Sequence, residues 1–495
     1  MCRIQHALFG FSRSMNTAHA ITSAAARQLS AVRAVQMDFG DRRRRYGRVT
    51  PGRLLALLRA VHCHSVLPEA PPAFHMDTNN STNRKHLPFE LTIPPHIVYL
   101  VGKPFQIIFK EAMSFFTAAP KPPTPLGLYR PLSSLAGVRV SPFQLGAMSI
   151  GNKWKSMGAL DKEKSFELLD AYFALGGNFV DTASSYHDGE SEEFIGEWLE
   201  KRGIRDQIVV ATKYTHFYKE ADPSIKQRTA YVGNNAKSLH VSVNASLEKL
   251  CTSYIDILYV HWWDWETGVE EIMNSLHNLV VSGKILYLGI SDTPAWVVTK
   301  ANQYARDHGK TPFVIYQGQW NVLQRSFERE IIPMARAEGL ALAPWDVLAG
   351  GKLRTDAEEQ RRREAGVDER GGSGWARTEA ERTMSLALEK VAKEIRAKSI
   401  QAVAIAYVMQ KTINVFPVIG GRKIEYLKAN IEALELTLTK EHIAYIESVV
   451  PFDPGFPYTL IGDGTSQGFL MKITLGEQAV SWPHKQAIVP SKNDA

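Results

Sequence analysis

Four ionisable side chains in the middle of the chain, Asp181, Tyr186, Lys213 and His261, are of types that together move a proton to or from an oxygen. A phenol is a weak acid, with an ordinary pKa of about 10, and it releases its proton more readily beside an ammonium that stabilises the phenolate. Lys213 can be that ammonium, drawing the phenol's pKa down, and Asp181 the carboxylate that keeps it charged and oriented. His261 can donate a hydrogen bond to a substrate oxygen and fix its angle. Such a group gives a proton to a carbonyl oxygen or takes one from an alcohol. None of the four can supply a hydride, so the reaction calls for a nicotinamide cofactor. Each residue also has a plainer use: Asp181 as a turn cap, Tyr186 as half-buried packing, Lys213 as a solvated cation, His261 as a hydrogen-bonded core residue. What favours the chemical reading is where the four stand relative to the elements around them.

Short apolar runs bounded by glycine or acidic turns recur from about residue 140 onward, each followed by an amphipathic stretch of helical length. They predict strands at "FQLGAM" (143–148), "NFVDTA" (178–183), "QIVVATK" (207–213), "YIDILYVH" (254–261), "ILYLGIS" (285–291), "FVIYQ" (313–317), "ALAPW" (341–345) and "NVFPVIG" (414–420). Eight strand-then-helix units are the count of a (β/α)8 TIM barrel, an α/β fold whose active groups sit at the C-terminal ends of the strands. The second run ends at Asp181 with Tyr186 on the loop beyond, the third ends at Lys213 and the fourth at His261. All four therefore fall on one rim. A doubly wound sheet is the rival, but no G-x-G-x-x-G joins a strand to a helix; the glycines of "IGDGTSQG" (461–468) lie in a C-terminal loop and read as flexible linker.

After the eighth run, "GGRK" (Gly420, Gly421, Arg422 and Lys423) opens a helix, where unpaired N–H groups favour anions. The glycines let a phosphate approach the backbone, and the two cations add charge-assisted contacts. The plainer reading is a solvated basic helix start. A charged insertion at 355–382 reads either as a mobile flap near this site or as a disordered surface loop. Trp262, Trp263 and Trp265 follow His261, and Tyr214, His216, Phe217 and Tyr218 follow Lys213. They suggest an apolar, aromatic aldehyde or ketone as substrate, or else loop packing against the rim.

The segments "FVDTASSYHDGESEEFIG", "VVATKY" and "DILYVHWWD" resemble the aldo-keto reductase superfamily, with Asp181, Tyr186, Lys213 and His261 as its Asp, Tyr, Lys, His tetrad. "GISDTPAW", "YQGQWNVLQR", "APWDVLAGGKL" and "FPVIGGRKIEYLKANIEAL" match its cofactor segments. The resemblance covers about Met113 to Pro457 and looks closest to the aryl-alcohol dehydrogenase branch, which includes norsolorinic-acid-reductase-like enzymes of secondary metabolism. It implies NADPH/NADP+ as cofactor, Ser291 and Gln317 on the nicotinamide carboxamide, Trp345 packed against the nicotinamide, and Asn430 on the adenine. Many relatives have Asn where this chain has Asp292, and an acid accepts hydrogen bonds but cannot donate an amide's N–H. A second class stays open: a barrel that holds NADPH as the regulatory subunit of a partner, similar to the potassium-channel β subunits, with little turnover.

The 495 residues are 44% hydrophobic and 22% charged, an ordinary globular balance. No apolar run is long enough for a membrane helix; "IPPHIVYLVGKPFQIIF" is broken by prolines and charge. The net charge of +7 is concentrated in the first 60 residues, which hold eleven arginines against Asp38 and Asp41. No recognition motif accompanies that basic run, so nucleic acid is not an expected partner. Residues 1–112 read as a disordered extension: a mitochondrial transit segment, a tail, or an untranslated stretch upstream of Met113, which opens a start of its own. The barrel is expected over 113–460, with a C-terminal helical or loop extension, and a tail over 461–495. Cys2, Cys63 and Cys251 form no disulfide framework, and His62, Cys63 and His64 have no second ligand cluster, so no metal is expected. A cytoplasmic location follows, or a mitochondrial one if the transit reading holds. Oligomeric state is left open.

Overall fold

The computed structural model describes residues 119–155, 158–365, 376–465, 468–475 and 485–490. The expectations for residues 1–112, including His62, Cys63 and His64, lie outside them.

All eight expected strands form, joined side by side in parallel: β1 (Gln144–Gly146), β2 (Phe179–Asp181), β3 (Val209–Tyr214), β4 (Ile255–Val260), β5 (Ile285–Ser291), β6 (Phe313–Gln319), β7 (Ala341–Trp345) and β8 (Val418–Gly420). β8 pairs with β1, and the seam between β7 and the approach to β8 is closed by Leu342 donating to the Asn414 carbonyl at 2.9 Å and Phe416 donating to the Leu342 carbonyl at 2.7 Å. The sheet is thus a barrel.

The helices follow where the apolar spacing changes to the helical period. They are α1 (Lys162–Ala174), α2 (Glu190–Arg202), α3 (Ala236–Lys249), α4 (Val269–Val281), α5 (Ala295–Asp307) and α6 (Ile331–Glu338), then α7 (Asp356–Glu364), α8 (Glu379–Ile395) and α9 (Ile400–Lys411) between β7 and β8, and α10 (Ile424–Ile431) and α11 (Lys440–Val449) beyond. Side chains cap several starts: Asp161 accepts from the Lys164 N–H, Asn235 from Ser238 and Ser399 from Ala402. α2 ends on Gly203 at φ 64°, a left-handed position that suits glycine.

Strand alternation sorts the core into two layers. Val210, Leu258, Val260, Ile290 and Leu342 face outward and meet the helices. Phe179, Val209, Ala211, Ile257, Tyr259, Ile315, Ala341 and Ala343 face inward. Side chains two apart share a face, so Asp181 continues the inward row of Phe179, Lys213 that of Val209 and Ala211, and Gln317 that of Ile315. Gly289 is required by the same packing: a Cβ there would lie 2.4 Å from the Tyr259 ring.

Two features were not expected. A hairpin of Arg130–Ser133 and Ala136–Val140 sends Leu132, Ala136 and Val140 into the inner layer. The insertion at 355–382 is in part regular: α7 is a helix whose start is capped by Thr355, while residues 366–375 lie outside the described set. The C-terminal segment carries two short helices, Tyr458–Ile461 and Phe469–Leu475. Among the described residues, no helix is long and apolar enough to cross a membrane.

Candidate active site

Asp181, Lys213 and Gln317 come from three strands and meet inside the barrel, because each is the last or next-to-last inward residue of its strand. The Lys213 ammonium donates to Asp181 Oδ2 at 2.7 Å and to the Thr182 carbonyl at 2.7 Å, with none of its side chain exposed. Gln317 Nε2 donates to Asp181 Oδ1 at 2.8 Å. A carboxylate only accepts, so the glutamine amide is oriented by Asp181, which leaves its Oε1 and its second N–H for other partners. Burial, the largest single influence, lowers the Lys213 pKa, but Asp181 and Tyr186 together outweigh it and the net value is raised, which favours the charged ammonium.

Tyr186 lies on the loop after β2, and the Lys213 ammonium sits 5.2 Å from its ring centroid. Burial raises the Tyr186 pKa; Lys213 pulls it down and Asp181 pushes it up, and the net is a raised value. The expected lowering by Lys213 is present, but burial exceeds it. The phenol therefore stays protonated at neutral pH, which is the form a proton donor needs. The His261 ring stands edge-on to Tyr186, centroids 6.3 Å apart. Burial first, then Lys213 and His216, hold the His261 pKa well below its ordinary value, so the imidazole is neutral. A neutral ring carries one N–H, enough to orient a carbonyl oxygen.

One cavity of about 1450 Å³ opens beside these residues, larger than the roughly 300–1,000 Å³ of an ordinary small-molecule pocket. Asp181, Tyr186 and His261 line it together with Ser291, Asp292, Gln317, Trp345, Gly420, Gly421, Arg422, Lys423 and Asn430. Every expected site residue except Lys213, which lies beneath the floor, thus faces the same space. His261 Nδ1 is buried without a hydrogen-bond partner among the described residues, while Ser291 Oγ stands near the Asp292 carboxyl and helps hold its pKa down against burial. A buried polar atom without a partner is costly, and both residues line the cavity where a ligand could meet them. At the far end, a Cβ on Gly420 or Gly421 would meet no protein atom within 4 Å, and Arg422 and Lys423 stand exposed at the start of α10. Backbone access, two cations and a helix N-terminus could hold a phosphate, while Ser291 and the indole of Trp345 line the same cavity. The set fits an elongated phosphorylated dinucleotide.

Asp292, by the resemblance a cofactor contact less secure than Ser291 and Gln317, lines the cavity and is also held by a neighbour. It adopts φ 40°, and its Oδ1 accepts from Trp345 Nε1 at 3.2 Å. Burial pushes its carboxyl up to about 6 although part of the side chain is exposed, with the Trp345 N–H and Lys213 acting the other way.

Of the aromatic residues expected to face a substrate, His216 stands 6.4 Å from His261, centroid to centroid, whereas three others are engaged elsewhere. Tyr214 is buried and donates to the Asn234 carbonyl at 3.1 Å, Tyr218 donates to the Val241 carbonyl at 3.3 Å, and Trp265 is exposed beside Trp296. These serve packing or the outer surface. The aromatic neighbours of Tyr186 include Trp154, 6.1 Å away and T-shaped, on the loop after β1. Glu358 and Arg362 of α7 also line the cavity, four residues apart on one helical face. A signal for α7 was present in "TDAE": a threonine followed three residues later by glutamate marks a helix start, and Thr355 accepts from the Glu358 N–H at 3.0 Å. Nothing in the sequence alone marks Trp154.

The Aldo/keto reductase family profile matches residues 142–451. An aryl-alcohol dehydrogenase [NADP(+)] of Phanerodontia chrysosporium is 57% identical over 390 residues, 77% of this chain and 100% of that protein. Aldo-keto reductase ausK of Emericella nidulans is 51% identical over 351 residues, 71% of this chain and 88% of its own length. Norsolorinic acid reductase of Aspergillus flavus is 49% identical over 357 residues, 72% and 89% of the two chains. With its barrel, its rim of ionisable groups and these relatives, the chain belongs to the aldo/keto reductase family.

Proposed function

We propose that the chain interconverts aromatic aldehydes or ketones and their alcohols with NADPH and NADP+, with Tyr186 as the proton donor and acceptor. The observation that carries this reading is the buried series Gln317, Asp181, Lys213 directly beneath Tyr186, at the wall of the large cavity. The relatives' names, an NADP(+) aryl-alcohol dehydrogenase and a norsolorinic acid reductase, support the cofactor and the aromatic substrate class. When bound, the nicotinamide supplies the hydride to the carbonyl carbon. Tyr186 gives its proton to the carbonyl oxygen, and the phenolate it leaves is stabilised by the Lys213 ammonium. Asp181 keeps that ammonium in place, and neutral His261 orients the carbonyl. In the alcohol-oxidising direction, Tyr186 takes the proton back.

In this reading Ser291 and Gln317, with Asp292 less securely, would hold the carboxamide, Trp345 would pack on the nicotinamide, Gly420, Gly421, Arg422 and Lys423 would take the phosphates and Asn430 the adenine; their common lining of the cavity supports it. The test is NADPH consumption by purified protein given a panel of aromatic aldehydes. Steady turnover supports the reductase; tight NADPH binding with no turnover on any carbonyl would instead favour a regulatory subunit.

A further inference from the structure

The loops after β1 and β2 are fastened to each other at one ring. His187, the residue after Tyr186, is fully buried. Its Nδ1 lies 3.0 Å from the Trp154 backbone N–H and its Nε2 lies 3.0 Å from the Met148 carbonyl oxygen. An amide can only donate and a carbonyl can only accept, so Nδ1 is bare and Nε2 carries the hydrogen: a neutral ring in one tautomer. The same ring stacks on the Trp154 indole, centroids 5.4 Å apart at 23°, and that indole is the one standing edge-on to Tyr186. Gly151, at φ +129°, passes so close that a Cβ there would lie 2.5 Å from His187 Cγ. His187 and Asp188 themselves hold left-handed backbone, φ 50° and 57°. Non-glycine residues keep such angles only where their surroundings over-determine them.

We propose that His187 is a positioning residue for Tyr186: its neutral imidazole ties the loop at 148–154 to the tyrosine's own loop and so fixes where the phenol stands in the cavity. This rests on the reductase reading above. An imidazolium would set an Nδ1–H against the Trp154 N–H, donor against donor, so protonation undoes the tie. Burial lowers the ring's pKa against the raising influence of the Met148 carbonyl, Glu190 and Asp188, and Lys153 adds to the lowering. The tie therefore holds at neutral pH and fails only in acid.

Two substitutions in the full chain test it. His187→Phe keeps an aromatic ring for Trp154 but neither hydrogen bond. His187→Asn keeps an acceptor close to the Nδ1 position and tolerates the left-handed backbone. We expect His187→Phe to lower kcat for benzaldehyde about tenfold, a part of the roughly 10² to 10⁴ that a positioned acid contributes, with the NADPH dissociation constant within about twofold of wild type. His187→Asn should recover most of kcat and lack the wild type's acid-side decline in kcat. Wild-type kcat in His187→Phe, or an acid limb identical in wild type and His187→Asn, overturns the proposal. So does parallel loss of kcat and NADPH affinity, which is what a merely structural residue would give. Nitrogen-15 spectra of labelled histidine in the free chain read the tautomer without substrate or cofactor. An Nδ1–H form there refutes the tie; absence of turnover on any carbonyl with the predicted tautomer present refutes the reductase reading instead.

Discussion

Replacing Lys213 by methionine should separate what the buried ion pair does for the fold from what it does for the chemistry. Asp181 accepts from two donors, Lys213 at 2.7 Å and Gln317 at 2.8 Å, and is 2% exposed. Lys213→Met leaves that carboxylate buried with one neutral donor. Breaking one side of a buried pair costs about 3 to 5 kcal/mol, chiefly because the remaining charge is uncompensated. Removing the charge as well should relieve most of this: in Asp181→Asn/Lys213→Met, the new amide can still accept from Gln317. The double variant should then recover about 2 kcal/mol or more over the single one, while both remain inactive. Denaturant unfolding at neutral pH measures the stabilities, and NADPH consumption with an aromatic aldehyde measures activity. A single variant that loses less than about 1 kcal/mol, the scale of exposed pairs, would refute the reasoning. A double variant no more stable than the single would refute it equally.

Arg422→Ala should weaken NADPH binding by about 1.5 to 3 kcal/mol, the worth of hydrogen bonds to a charged group, and leave NADH nearly unchanged. Fluorescence titration with both cofactors checks this, and equal weakening would place Arg422 on the pyrophosphate instead. Asp292 has a folded pKa raised from 3.8 to about 6, so its contribution to stability is present below the ordinary aspartate range and is lost as the pH rises through about 6. Asp292→Asn should remove that loss, so thermal unfolding of wild type and variant should diverge over this window in the variant's favour; parallel curves would show that the carboxyl is not perturbed.

The barrel was legible because every strand is a short apolar run with a helix-period stretch behind it. The site was legible because the inward row of three strands changes from apolar or aromatic to an ionisable residue at or just past its C-terminal end: Phe179 to Asp181, Ala211 to Lys213, Tyr259 to His261. That is a period-two signal readable without any structure. What escaped is long-range. The hairpin at 130–140 is too short to declare itself, and its role appears only when Leu132 and Val140 are seen against the inner layer. Tyr214 and Tyr218 look like substrate contacts in sequence, yet their hydroxyls are spent on backbone carbonyls. The net direction of the Tyr186 pKa also could not be read from its neighbours' types, since it turns on how far burial outweighs the lysine. Nor could the sequence show that the Asp292 carboxyl, which lines the cavity, also accepts from the Trp345 indole.

Tyr186→Phe is the most direct test of the central claim, because it removes one oxygen and retains the ring that packs against Trp154 and His261. The measurement is kcat for an aromatic aldehyde alongside a fluorescence titration of NADPH in the same preparation. If Tyr186 delivers the proton, kcat falls by roughly 10² to 10⁴, the usual worth of general acid catalysis, while NADPH affinity stays near that of wild type. A variant that binds NADPH normally and reduces the aldehyde at the wild-type rate would contradict the account, since the proton would then come from another group.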